Sequence, residues 1–270
     1  MSKLVHLEID ESIAVVTFDN PPRGYMDAAQ VAELDVIIDQ VAANDAVRVV
    51  IFTGGVTGVF VRHYDVREIM GVAEIIRSRS MSESDLMASG KRGNAISAVF
   101  DKVDRLPKPT IAAINGFAQG GGFEFALCCD IRVAESGHYQ IGLPETNIGI
   151  FPGAGGTERL PRLIGEAKAL ELILRGRTVG PEAALQLGMV HEVTTSDVLI
   201  RAKAIAREMA AMPARGIAEA KALVKGTAEL SLDEACGVAR GRFSVLLAQD
   251  DGAIVAMQRF LDEGEDINKR

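Results

Sequence analysis

Tryptophan is absent from this chain and aromatic residues make up only 5% of it, so the interior must be packed mainly with Ala, Val, Ile and Leu. Cysteine is scarce as well. There are three, Cys128, Cys129 and Cys236, of which two are adjacent. An odd number with that spacing excludes a disulfide framework and a CxxC metal pair, and predicts a reducing, cytoplasmic setting. No apolar run reaches the roughly 18 residues of a membrane span, so no membrane partner is expected. Positive charge is short too: 29 Lys and Arg stand against 37 Asp and Glu, a net charge of −8. A nucleic-acid partner calls for a basic face, so none is expected. A phosphorylated small molecule needs only a few local Arg or Lys side chains. Met1-Ser2-Lys3-Leu4 runs straight into a strand pattern, which predicts no cleaved leader.

What the chain does contain is an ordinary globular balance, 48% apolar and 24% charged over 270 residues. That is one large domain, or one with an appendage. Val5, Leu7 and Ile9 alternate with polar residues, and Asp10-Glu11-Ser12 reads as a turn into a second strand over Ile13–Phe18. Asp27–Ala43 reads as an amphipathic helix, with Val31, Leu34, Ile37, Ile38 and Val41 on one face. Asp27 is its expected cap and Gln30 takes the capping-box position. Val47–Thr53 and Thr110–Ile114 have the look of buried parallel strands, and Ile131–Ala134 and Tyr139–Ile141 read as shorter ones. The stretch from Ile69 to Asp104 reads as helix with a polar patch over Arg77–Asp85. Helices are predicted from Thr157, Pro181 and Ser196, and from Pro213 to the end. Strand–helix alternation followed by a helical tail predicts an α/β domain with parallel strands and crossover helices, and a soft boundary near residue 195.

Two segments carry the chemistry. Gly120-Gly121-Gly122 lies between a strand and a helix, and Glu124 follows on the first helical turn. Glycines there leave backbone N–H groups bare, and a helix start favours negative charge. Glu145 closes Gly142-Leu143-Pro144-Glu145, where Pro144 fixes the direction of the next side chain. Taken singly, the glycines read more readily as a tight turn and each glutamate as a solvated carboxylate. However, Glu124 sits among Phe123, Phe125, Ala126 and Leu127, and a carboxylate in apolar company is costly to bury without a partner.

Ile111-Ala-Ala-Ile-Asn-Gly-Phe-Ala-Gln-Gly-Gly-Gly-Phe-Glu124, Cys129-Asp-Ile-Arg-Val-Ala134, Gly142-Leu-Pro-Glu145 and Gly149-Ile-Phe-Pro-Gly-Ala-Gly-Gly-Thr157 resemble the crotonase (enoyl-CoA hydratase/isomerase) superfamily. Gly176-Arg177 and Ala183–Val190 resemble its next segment. The resemblance implies a spiral of repeated β-β-α units over residues 1–195, and a C-terminal helical region over 196–270 that forms trimers or hexamers. It implies an acyl-CoA thioester substrate, with coenzyme A entering as part of the substrate and no separate cofactor or metal. The thioester oxygen would be held by the N–H groups of Tyr64 and Gly121, and Glu124 and Glu145 would act on one water. Met26, Arg62, Asp65, Arg67, Gly120 and Pro144 would complete the substrate site.

The expected reaction is hydration of a 2-enoyl-CoA. Isomerisation of a 3-enoyl-CoA, another thioester lyase or hydrolase reaction, or a non-catalytic scaffold or RNA-binding role are the alternatives. An isomerase needs only one shuttling carboxylate, so two glutamates favour hydration. The chain departs from the family at Arg62-His63-Tyr64, where small residues are usual, and at Asn20-Pro21-Pro22-Arg23-Gly24-Tyr25-Met26. His63 is thus either a third acid/base group or a surface side chain, and Tyr64 either faces the acyl pocket or does not. Gly153-Ala154-Gly155-Gly156-Thr157 does not fit the dinucleotide pattern, and Cys128 and Cys129 read as core. His6, His138 and His191 are scattered without metal spacing. Arg67 and Lys108 are either phosphate contacts or solvated.

Overall fold

The computed structural model describes residues 3–264 and 266; the remainder of the expected helical tail lies outside the described residues. The chain opens with a hairpin, β1 (Val5–Asp10) and β2 (Ile13–Phe18), then α1 (Ala28–Ala43). Three units follow in which a strand of a large sheet leads to a short strand of a small sheet and then to helix. The first is β3 (Val49–Gly54), β4 (Val59–Val61) and helices α2 (Val66–Ser78), α3 (Glu83–Lys91) and α4 (Ala95–Arg105). The second is β5 (Thr110–Ile114), β6 (Phe117–Gln119) and α5 (Gly121–Cys128). The third is β7 (Ile131–Glu135), β8 (Ile141–Gly142), a 3-10 turn (Glu145–Ile148), α6 (Gly156–Ile164) and α7 (Glu166–Leu174). Then come β9 (Thr178–Val179), α8 (Pro181–Leu187), β10 (Glu192–Thr194), α9 (Val198–Ala210), α10 (Ala214–Gly226), α11 (Leu232–Gln249) and α12 (Asp251–Asp262).

The large sheet has the order β1-β2-β3-β5-β7-β10 and is parallel apart from the opening hairpin. The small sheet has the order β4-β6-β8-β9. The near-continuous apolar runs at 49–53 and 110–114 follow from burial on both faces. One face carries Val16, Phe18, Val50, Phe52, Ala112 and Ile114 into the main core. The other carries Val15, Ile51, Ile111 and Val133 against Val198, Ala202 and Ala206 of α9. Successive units are locked at their corners. Asn115 Nδ2 donates to Gly54 O at 2.7 Å, and Gly54 N–H donates back to Asn115 Oδ1 at 3.1 Å. A Cβ on Gly116 would lie 1.9 Å from Gly58 O, so only glycine lets these turns approach.

The helix over 28–43 forms with the expected face buried, and Asp27 accepts from Gln30 N–H. The capping box does not form, because the Gln30 amide donates to Leu4 O instead. The helix expected over 69–104 is three helices. Ser82 and Asn94 each cap a new one by accepting from Asp85 and Ser97 N–H, so the polar patch serves as helix ends rather than helix middle. The small-sheet strands β4, β6 and β9 are too short to show a periodicity of their own.

Scarce aromatics are concentrated. Phe125 of α5 meets Phe18 and Phe52 with ring centroids at 5.0 Å, and Phe100 at 5.3 Å. This knot fastens the helix carrying Glu124 to both neighbouring layers. No residue of helices α10–α12 is fully buried, and Val224, Leu232, Phe243 and Val255 are exposed. Among the described residues, no helix is long and apolar enough to cross a membrane. Replacing Phe125 by Ala should lower unfolding free energy by about 3–5 kcal/mol, read from urea denaturation at fixed protein concentration; a change within error would show that the knot is not what fastens α5.

Candidate active site

The site is built where the starts of two helices and one loop converge. Gly120 precedes α5 with φ +51°, which an L side chain resists. A Cβ there would also stand 3.1 Å from Glu145 Oε1 and 3.6 Å from His63 Cβ, so Gly120 lets the loop, the helix start and Glu145 meet. Gly121 opens the helix. A Cβ on it would stand 3.5 Å from Tyr64 N, which places the two backbone groups side by side. Gly122 packs against Val61, where a Cβ would come within 2.0 Å of the Val61 carbonyl oxygen.

The direction of the Tyr64 N–H follows from its neighbours. Met26 forms an isolated parallel bridge with Tyr64. Met26 N–H donates to His63 O at 2.9 Å, and Asp65 N–H donates to Met26 O at 2.7 Å. The residue between two such bonds turns its own N–H the opposite way. Among the described residues, neither the Tyr64 nor the Gly121 N–H donates to a protein group. Gly121 is among the first helical residues, whose N–H groups have no intrahelical acceptor.

Glu124 is 3% exposed. Its Oε1 accepts from Ala154 N–H at 2.8 Å and Gly156 N–H at 2.9 Å, at the start of α6. Burial raises its carboxyl above the ordinary range, and the two amides pull the other way. Gly156 is obligatory here, since a Cβ would reach within 3.0 Å of that same oxygen and 2.8 Å of Leu143 Cδ1. Glu145 begins the 3-10 turn after Pro144, held by Thr146 Oγ1 donating to Ile173 O at 2.7 Å and Asn147 Nδ2 donating to Gly176 O at 2.8 Å. Its Oε2 is buried and has no hydrogen-bond partner. Burial pushes the Glu145 carboxyl up to about 7, and the Glu124 charge adds to the rise. One carboxylate is thus stabilised by amides, while its neighbour holds a proton near neutrality. That is the division needed by a base and an acid working together.

The other expected site residues divide. Met26 is fully buried and contributes its backbone. Asp65 caps α2 by accepting from Arg67 N–H, and the Arg67 side chain is exposed on that helix. The Arg62 guanidinium lies over the Phe117 ring at 4.5 Å. The Tyr64 hydroxyl donates to Glu68 Oε2 at 2.6 Å, one helical turn along α2. His63 lies beside Gly120, its Nδ1 2.7 Å from Tyr64 O and its ring stacked on Tyr25 at 4.2 Å. The Lys108 ammonium donates to Val41 O and Asn44 O at 2.7 and 2.6 Å and closes the end of α1. Cys128 and Cys129 are core, with burial pushing the Cys128 thiol up to about 12. Among the described residues no His, Cys, Asp or Glu cluster could hold a metal ion. Sequence reasoning missed the Ala154 and Gly156 amides. The available signal was the glycine-rich run before the helix start at 156, a setting suited to an anion whether or not it matches a nucleotide motif.

Comparison with known proteins agrees in extent and kind. The family described as Enoyl-CoA hydratase/isomerase matches residues 8–267. A probable enoyl-CoA hydratase of Bacillus subtilis (strain 168) is 33% identical over 261 residues, covering 96% of each chain. A short-chain-enoyl-CoA hydratase of Clostridium acetobutylicum is 32% identical over 249 residues, covering 92% of this chain and 90% of its own. Among solved structures, enoyl-CoA hydratase from Bacillus anthracis superposes with a TM-score of 0.83 at 28% identity, covering 96% of each chain. On a match running nearly from end to end, this chain belongs to the enoyl-CoA hydratase/isomerase family.

Proposed function

We propose that the protein adds water across the double bond of a 2-enoyl-CoA thioester, giving the 3-hydroxyacyl-CoA. The observation that carries this reading is the pairing of two free N–H groups, on Tyr64 and Gly121, with two unlike carboxyls alongside. Hydration places negative charge on the thioester oxygen as a C–O bond forms at the β carbon. Two preorganised amide donors stabilise that oxygen without reorganisation, and one such donor typically carries about 10²–10³ in rate. Glu124, ionised and gripped by the Ala154 and Gly156 amides, takes a proton from water as the hydroxyl adds to the β carbon. Glu145, protonated, delivers its proton to the α carbon and the enolate collapses. Exchange with solvent then returns a proton to Glu145 and removes the one on Glu124. The residues supply every group this chemistry needs, so coenzyme A enters only as the substrate's handle.

Met26, Asp65, Gly120 and Pro144 set the backbone of this site, while Arg62 in the loop that ends at Tyr64 and Arg67 in the first turn of α2 are the cations assigned to the substrate. With its hydroxyl on Glu68, the Tyr64 side chain is tethered along α2, so the loop keeps its donor despite the bulky residue. We assign catalysis to residues 1–195 and assembly into trimers or hexamers to the helices beyond 196. The exposed Val224, Leu232, Phe243 and Val255 support the second assignment, since unpartnered apolar side chains gathered on one helical region mark an interface.

Crotonyl-CoA hydration, followed by loss of the conjugated-thioester absorbance, should fall by about 10²–10⁴ in Glu124→Gln and in Glu145→Gln. Near-normal turnover in either would remove that residue from the mechanism, and turnover of a 3-enoyl-CoA alone would point to isomerisation. Activity that depends on protonated Glu145 should decline as pH rises through about 7. Stability should follow the same group. Its folded value is raised, so between the ordinary carboxylate range and about 7 the unfolded chain gives up a proton that the folded one keeps. Raising pH through that window therefore costs stability, and below it both states are protonated and the effect vanishes. Glu145→Gln should gain on the order of 1–3 kcal/mol near pH 8 relative to its effect near pH 4; equal effects at both would sink the assignment. Light scattering should give a trimer or a multiple of it, and a monomer would refute the role given to the tail.

A further inference from the structure

The clamp on Glu124 is itself held from outside. Arg159 on α6 is only 19% exposed at its side chain, and Nη1 donates to Ala154 O at 3.3 Å. Ala154 is the residue whose N–H binds Glu124 Oε1. The same guanidinium passes over Gly155, where φ is +102° and a Cβ would fall 1.9 Å from Nη1. Its other arm, Nη2, faces two carboxylates of α4, Asp101 Oδ1 at 3.2 Å and Asp104 Oδ2 at 3.6 Å. Asp104 is shared with Lys225 of α10 at 2.6 Å, and Lys225 also meets Asp130 at 2.9 Å and donates to Cys128 O at 3.3 Å. A continuous polar path thus runs from the C-terminal helices through α4 and Arg159 to the loop that grips the carboxylate.

We propose that Arg159 is a positioning residue for Glu124, holding the 154–156 loop in the shape that presents two amides to one carboxylate oxygen. Arg159 touches no reacting atom. It acts by fixing the Ala154 peptide and by placing a positive charge behind it. A planar guanidinium suits this task because one arm reaches the carbonyl while the other is pinned by acids. The charged and titratable groups that face this region are Asp101 and Asp104 from α4, Glu158 from α6, Cys128 from α5, Lys225 from α10, and Glu145 from the third unit. Glu158 disfavours a charge on Glu124 and Arg159 favours it, so removing Arg159 leaves the carboxylate less supported.

The test combines rate with direct titration. In protein carrying ¹³C-labelled glutamate carboxyls, the Glu124 resonance is assigned by its loss in Glu124→Gln. In Arg159→Met that resonance should titrate at higher pH than in the parent. The kcat for crotonyl-CoA should fall about tenfold or more, with its acidic limb moved the same way, because a base that ionises later and sits less well is a poorer base. Arg159→Lys keeps a charge but loses the fork; it should titrate near the parent yet still lose rate, and it serves if the Met variant does not fold. An unmoved Glu124 titration in Arg159→Met, or a parental kcat in Arg159→Lys, overturns the proposal. The positioning role rests on the hydratase reading only for its rate arm. A parent that leaves crotonyl-CoA unchanged defeats that reading, while the carboxyl titration still decides the role of Arg159.

Discussion

A carboxylate in a nearly dry interior must be compensated, and the bond between Glu124 and two backbone amides is the compensation on which this architecture turns. It dictates glycine at 156, where no side chain fits between Leu143, Pro152 and the carboxylate oxygen. It fixes where α6 starts relative to α5, and thereby joins the second and third units of the spiral. It also leaves the other carboxyl uncompensated. Glu145 has one buried oxygen with no partner, so proton retention is its way of avoiding an isolated buried charge. The two acids therefore differ in their partners: one Glu124 oxygen has two amides, and the buried Glu145 oxygen has none.

The surrounding fold serves to keep these parts in register. The Phe125 knot holds α5 against both layers, and the reciprocal bonds between Asn115 and Gly54 keep adjacent corners level. Polar anchoring continues outward. Lys221 reaches Asp130 at 2.7 Å and the Lys108 carbonyl at 2.9 Å, so α10, none of whose residues is fully buried, is fastened to the core in part by charge. The apolar surface of α10–α12 is thereby left for another use.

Much of this was legible in the residues. Long, strongly periodic elements such as the helix at 28–43 and the strands at 49–54 and 110–114 declare themselves because burial repeats along them. Glu124 and Glu145 stood out because a carboxylate amid apolar neighbours and one after a proline turn are each unusual. Of the small sheet only β8 was legible, as the short strand read over Tyr139–Ile141: strands of two or three residues are defined by what they pair with, and no local pattern records that. The amides of Ala154 and Gly156 were hidden for a related reason. A backbone N–H is present at every non-proline residue, and only three-dimensional proximity singles out two of them. Tyr64 lies between these cases. Its N–H was foreseeable, but the tether of its hydroxyl to Glu68 depends on where α2 begins.

Gly122 approaches the Val61 carbonyl too closely for any side chain to stand between them. It brings the chain before Tyr64 against the start of α5 through main-chain atoms alone. The gap between the paired donors is consequently indifferent to which side chain occupies position 64. A substitution at position 64 can therefore enlarge, polarise or shrink the group displayed there while the two N–H groups keep their spacing. Side-chain chemistry and main-chain geometry are thereby separable at one residue.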